Sequence, residues 1–166
     1  MSHPTLYIDY SRCIGCETCE GVCRFLYGKP RISMARTKDG VMLPLYCRHC
    51  ENPYCARACP RGALIKGRDG EVLLEPALCE GCESKNCLLA CPFGGIFMTR
   101  MTEAMVKCDL CLGRRAVGLG PACVEACPCG ALFFAAPGEI AGLETPESEA
   151  AEKRLLDHIR PKLKTG

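Results

Sequence analysis

The sequence predicts an α+β protein of short β-hairpins and small helices, with one longer helix at its C-terminal end. Three observations carry that expectation. Sixteen of the 17 cysteines fall into four compact groups, which leave room only for brief elements between them. Two Asp-Gly pairs, Asp39-Gly40 and Asp69-Gly70, each separate two strand-like runs. After residue 145 the composition changes, and acidic residues precede basic ones along a helical stretch.

In chain order, residues 31–36 and 41–46 flank Thr37-Lys38-Asp39-Gly40 as a first hairpin. Residues 63–66 and 71–74 flank Gly67-Arg68-Asp69-Gly70 as a second. Little room remains for a long helix before residue 145. There Thr145 stands as a cap with Pro146 at the first helical position, and Glu147, Glu149 and Glu152 precede Lys153, Arg154 and Arg160. Residues 146–160 read as one helix. Ala151, Leu155, Leu156, Ile159 and, past Pro161, Leu163 share one side of it. That stripe either folds back onto the domain or docks on a partner or on a second copy through residues 146–163. The organisation expected is a main domain over residues 1–140 and a C-terminal helical extension over 145–166.

The cysteine groups are Cys13, Cys16, Cys19, Cys23; Cys47, Cys50, Cys55, Cys59; Cys79, Cys82, Cys87, Cys91; and Cys108, Cys111, Cys123, Cys127. They recur about every 30 to 35 residues, and each closes with Cys-x-x-x-Cys. Four groups of four thiolates are the ligand supply of four cubane iron–sulfur clusters. A short loop wraps three corners of a cube while the fourth cysteine points away, characteristically toward the other cluster of a pair. Pro60, Pro92 and Pro128 follow the fourth cysteine of three groups and fix the exit of the chain, whereas Arg24 takes that place after the first. Zinc also takes all-thiolate sites, but its knuckles come as two separated pairs rather than three ligands crowded in one loop.

Composition bounds the rest. At 166 residues the chain forms one domain or two small halves sharing an interface. Its 48% hydrophobic content counts the cysteines, it has no Trp, and aromatics are 6%, so the apolar core is thin. Clusters would then crosslink distant segments as structural metals do, and the apo chain is expected to be largely unfolded. The formal charge of +2 treats every thiol as neutral, and four clusters at roughly −2 each would bring the chain to about −6. Arg48, Arg57, Arg61, Lys107, Arg114 and Arg115 near the motifs either offset that charge or form a solvated surface. No leader is read at the N-terminus and no apolar run approaches a membrane span, so the expectation is a cytoplasmic chain with no direct membrane insertion. Disulfides fit that compartment poorly. No nucleotide-binding glycine fingerprint and no catalytic constellation is present. The reading is therefore a non-catalytic electron carrier with no nucleic-acid partner.

A few residues stand outside the four groups. Cys129 is the odd cysteine and is read as a small buried thiol rather than a ligand. His49, between two ligands, is placed mainly on a loop surface, with a hydrogen bond toward cluster sulfur as the functional alternative. Met34, Met42, Met98, Met101 and Met105 are read as core filling, and Tyr7, Tyr10, Tyr27, Tyr46 and Tyr54 as packing that keeps water from the sulfurs.

The run from Cys47 to Pro60, together with Lys107-Cys108-Asp109-Leu110-Cys111 and the run from Pro121 to Pro128, resembles the four-cluster iron–sulfur subunits found beside molybdenum and tungsten oxidoreductases, hydrogenases and carbon monoxide dehydrogenases. The resemblance covers about residues 5–136. It implies two interleaved ferredoxin-like halves, the first cysteine group pairing with the fourth and the second with the third. It further implies that Cys13, Cys16, Cys19 and Cys127 hold cluster a, and that Cys23, Cys108, Cys111 and Cys123 hold cluster b. Cys47, Cys50, Cys55 and Cys91 would hold cluster c, and Cys59, Cys79, Cys82 and Cys87 cluster d. Some relatives lose a ligand in the third group and carry a three-iron cluster; here the third group is complete, so four [4Fe–4S] clusters are expected. The spacing of four between Cys82 and Cys87 is longer than the family often shows. The implied role, one of anaerobic metabolism, is an electron relay between another carrier and a large catalytic molybdenum-, tungsten- or nickel-containing subunit, of aldehyde oxidoreductase or formate dehydrogenase type. A flavin-containing or hydrogenase subunit is a further partner. The alternatives are a free-standing polyferredoxin, and a wire that also assembles filaments through its C-terminal helix.

Overall fold

The computed structural model describes residues 3–99 and 103–159; Met101, Arg160, Pro161 and Leu163 lie outside the described residues. In chain order the elements are β1 (Thr5–Ile8), α1 (Thr18–Tyr27), β2 (Ser33–Arg36), β3 (Met42–Leu45), α2 (Tyr54–Arg57), β4 (Leu64–Lys66) and β5 (Val72–Leu74). There follow α3 (Pro76–Cys79), α4 (Asn86–Ala90), β6 (Ile96–Phe97), β7 (Val106–Lys107), α5 (Leu112–Arg115), α6 (Ala122–Glu125), β8 (Leu132–Ala135), α7 (Pro137–Ile140) and α8 (Pro146–Ile159). The mixture of small antiparallel sheets and short helices is the α+β class that the cysteine spacing implied.

Both Asp-Gly turns form their hairpins. β2 pairs with β3 and β4 with β5, all antiparallel. The two turns share one construction, because Thr37 N–H reaches Val41 O at 2.8 Å in the first and Gly67 N–H reaches Glu71 O at 2.7 Å in the second. β1 pairs with β8 at the opposite end of the chain, Leu6 facing Phe134 and Ile8 facing Leu132. β6 pairs with β7.

The β1–β8 pairing has a direct consequence for the cysteines. It draws the first and fourth groups together, and α1, carrying Cys19 and Cys23, packs on α6, carrying Cys123. In the same way α2, carrying Cys55, packs on α4, carrying Cys87. Each pairing has its own small core. Leu6, Ile8, Tyr10, Ile32, Leu43, Tyr46, Leu110 and Leu132 surround Cys19, Cys23 and Cys123. Ala63, Leu64, Val72, Ile96 and Met105 surround Cys55, Cys79 and Cys87.

α1, ten residues long, is the one departure from the expected lack of long helices before residue 145. It ends at Gly28, whose left-handed φ of 72° and N–H bond to Arg24 O close the last turn. Arg24 lies inside this helix, so a proline there would clash with the preceding turn and remove a helical N–H. Arg24 instead pairs with Glu20 one turn earlier.

α8 starts as the sequence implied, with Thr145 Oγ1 accepting the Ser148 N–H at 3.2 Å. Its apolar stripe is used within the chain. Leu155 is 0% exposed and, with Ala151, joins the core around β1 and β8, while Ile159 packs on its edge. Glu152 pairs with Arg48 at 2.5 Å beside the second cysteine group. The filament alternative needed that stripe on the outside, whereas Ala151 and Leu155, among its described members, are buried within the chain.

Candidate metal centre

The thiols gather in quartets that cross the sequence groups. Burial pushes the Cys13 thiol up, as do its neighbours Cys129, Cys16 and Cys127. Cys19 is pushed up to about 12 by burial first, then by Cys13, Cys16 and Cys127. Cys123 is raised by burial and by Cys108, Cys111, Cys19 and Cys23. Cys50 is raised by burial and by Cys47 and Cys91, and the same causes take Cys55 to about 11. Burial, Cys59, Cys79 and Cys82 raise Cys87. Raised thiols are what buried, crowded sulfur shows before a cation arrives; a bound metal inverts the balance and takes the thiolate.

Two of the quartets line cavities. One has Cys13, Cys16, Cys19 and Cys127 in its wall with Cys129, Met34 and Leu132. The other has Cys23, Cys108, Cys111 and Cys123 with Leu6, Ile32 and Leu110. Among the described residues no three His, Cys, Asp or Glu side chains converge as ligands of one ion. Sulfurs that face one another across an apolar hollow suit the corners of a many-atom cluster, whereas zinc draws four sulfurs about a single centre.

Backbone geometry completes the donor set. The third residue of the Cys-x-x-Cys that opens each group is left-handed: Gly15 at φ 69°, His49 at 49°, Gly81 at 68° and Leu110 at 58°. This turn curls the backbone so that successive N–H groups line a concavity for negative charge. Glycine adopts it freely, while His49 and Leu110 carry a steric cost of about 1–2 kcal/mol. Main-chain N–H groups also point at sulfur: Arg31 to Cys23 at 3.2 Å, Leu110 to Cys108 at 3.2 Å, and Met105 to Cys79, Gly95 to Cys91 and Ala131 to Cys127 at 3.3 Å. Such bonds stabilise a thiolate and tune a cluster.

The long spacing of the third group is accommodated locally. Cys82 Sγ lies 3.5 Å from the Ser84 hydroxyl, which holds that thiol below the ordinary range, and Lys85 turns left-handed at the start of α4. Lys85 is itself buried and donates to Glu103 O at 2.8 Å. Arg61 reaches the carbonyls of Leu78, Glu80 and Gly81 and so braces this loop from the second group.

The surface reading of His49 is overturned. The side chain is only 6% exposed, because its left-handed backbone turns it inward between the cysteine groups. Nδ1 accepts the Val72 N–H at 3.0 Å, so the neutral ring carries its proton on Nε2, a buried atom with no hydrogen-bond partner. Burial, then Lys107, Lys66 and Arg115, push its pKa down to about 2. Neither the inward turn nor the burial has a marker in the sequence.

The remaining candidates divide. Cys129 lies 3.6 Å from Cys127 Sγ, a fifth thiol beside the first quartet. Met105 lies in the second core and Met34 packs on the first, while Met98 is exposed. Tyr7, Tyr10 and Tyr46 are buried, but Tyr54 lies open under Arg57. Of the basic residues, Arg48 stacks on Tyr46, Arg114 pairs with Glu125, Arg115 donates to Leu110 O, and Lys107 is buried.

Comparison with known proteins agrees with this chemistry. Residues 38–136 match the 4Fe-4S dicluster domain and residues 6–25 the 4Fe-4S binding domain. The sequence is 37% identical over 147 residues to the B subunit of the anaerobic dimethyl sulfoxide reductase of Escherichia coli, covering 77% of this protein and 71% of the relative. It is 32% identical over 183 residues to the B subunit of the Haemophilus influenzae reductase of the same name, covering 98% and 88%. The thiosulfate reductase electron transfer subunit of Salmonella typhi is 34% identical over 140 residues, covering 76% and 72%.

Proposed function

This protein belongs to the 4Fe-4S dicluster family of iron–sulfur electron-transfer subunits, and from that membership we propose how its cysteines divide and what it serves. Cys13, Cys16, Cys19 and Cys127 hold cluster a; Cys23, Cys108, Cys111 and Cys123 cluster b; Cys47, Cys50, Cys55 and Cys91 cluster c; Cys59, Cys79, Cys82 and Cys87 cluster d. The observation that carries this reading is the pair of cavities walled by the first two of these quartets and by no other grouped cysteine. When bound, the clusters supply one-electron storage sites, and the protein itself does no substrate chemistry.

Neighbouring cysteines support an order of the sites. Cys123 of the second quartet has Cys19 of the first as a neighbour, and Cys108 of the second has Cys47 of the third. Cys55 of the third and Cys59 of the fourth lie on α2 and just past its end. The quartets therefore run a, b, c, d. At the a end Cys16 and Ile14 are exposed, and at the d end Leu78 and Leu89 beside the cysteines are exposed, which supports docking at both ends.

The partner is a large catalytic subunit that depends on molybdenum or tungsten. The named relatives belong to dimethyl sulfoxide and thiosulfate reductases, which favours a reductase over the aldehyde-, formate- or hydrogen-oxidising types. Among the described residues no helix is long and apolar enough to cross a membrane, in keeping with work in the cytoplasm. Anaerobic affinity purification from the native cell, with metal analysis of what accompanies the protein, tests the proposal. A stoichiometric molybdenum or tungsten subunit supports it; recovery of the protein by itself makes it a free carrier.

A further inference from the structure

We propose that Lys107 is a fixed positive charge shared by the second and fourth cysteine groups, which holds up the reduction potentials of the two inner clusters and so eases electron passage between the halves. This rests on the ligand sets proposed above. Lys107 ends β7, immediately before Cys108, and is only 5% exposed. Its ammonium donates to Val72 O and to Cys108 O, the latter at 2.5 Å, and stands near the Cys47 thiol. One side chain thus touches the backbone of a group-four ligand and stands near the sulfur of a group-two ligand.

No carboxylate among the described residues pairs with Lys107. A buried ammonium without a counter-ion is costly, so the negative charge it answers is that of the ligated sulfur near it. Cations near by act differently. Lys66 is exposed and sits on the carbonyls of His49 and Cys50, and Arg115 on that of Leu110. Cys47 and Cys108 are themselves neighbours. A cation at that boundary favours the more negative, reduced state on either side of it. The step concerned is a one-electron transfer, one inner cluster oxidised and the other reduced, with no bond made or broken and no proton moved.

Potentiometric titration of the anaerobic holo-protein, followed by electron paramagnetic resonance, reads the effect. Cys47→Ser and Cys108→Ser first assign the signals of c and b; if both alter the same signal, the ligand assignment fails and the inference with it. With the assignment made, Lys107→Gln lowers the midpoint potentials of b and c and leaves a and d in place, Lys107→Arg keeps them high, and Lys66→Gln moves them less. Unchanged inner potentials, or an equal fall in all four, overturn the inference. Iron per protein guards against misfolding: loading in the Arg but not the Gln variant supports the need for a cation, whereas loss in both makes Lys107 merely structural.

Discussion

The side-chain oxygen of Ser148, on the last helix, accepts the backbone N–H of Tyr10 at 2.9 Å across 138 residues of sequence. Tyr7 reaches the same oxygen with its hydroxyl at 3.4 Å. Through Ser148 and Leu155, α8 closes over β1 and the first cysteine loop. Leu155→Ala should therefore cost about 2–5 kcal/mol and Ser148→Ala about 1 kcal/mol, both read from denaturant unfolding of the holo-protein. Particle mass should not change.

Tyr10 donates its hydroxyl to Pro44 O at 2.9 Å, and burial, then the neighbouring Tyr46, raise its pKa. The folded state thus keeps the phenol protonated where the unfolded state releases the proton, near pH 10. Stability present below about pH 10 is lost as the pH rises beyond it. Tyr10→Phe should be about 1 kcal/mol less stable at neutral pH yet show a shallower alkaline loss, measured by denaturant midpoints across that range.

Gly95 leaves no room for a side chain. A Cβ there would stand 2.5 Å from Tyr46 O and 2.6 Å from Cys47 Cα, and backbone cannot yield as a flexible side chain would. The Gly95 N–H also bonds Cys91 Sγ. Gly95→Ala should lower iron content at the third quartet before the others, seen as loss of the signal that Cys47→Ser also removes.

Cys129 tests the difference between proximity and ligation. It touches Cys127 but lies outside the four quartets, so Cys129→Ala should keep the full iron content and four cluster signals. Loss of a quarter of the iron would make it a ligand.

The hairpins were legible because an Asp-Gly turn is local chemistry. The α8 start was legible for the same reason, through Thr145 and Pro146. β1 and β8 were not, since neither Leu6 nor Phe134 carries any mark of a partner at the other end of the chain. The cysteine groups announced metal, but which fourth cysteine joins which loop came only from the family resemblance. His49 shows the limit of spacing: a histidine between two polar-flanked cysteines looks like surface until its left-handed backbone is known. Lys107 looked like any charge beside a motif, and only its burial separates it from Arg114, which pairs at the surface with Glu125.

The division of the sixteen cysteines into quartets of three plus one is tested most directly at Cys23. It belongs by sequence with Cys19, but it is Cys111 that lies among its charged neighbours. Single Cys23→Ser, Cys19→Ser and Cys111→Ser variants, purified anaerobically and compared by paramagnetic resonance and iron content, decide the matter. The account predicts that Cys23→Ser and Cys111→Ser alter the same cluster and that Cys19→Ser alters another. A Cys23→Ser protein that matches Cys19→Ser instead would contradict it.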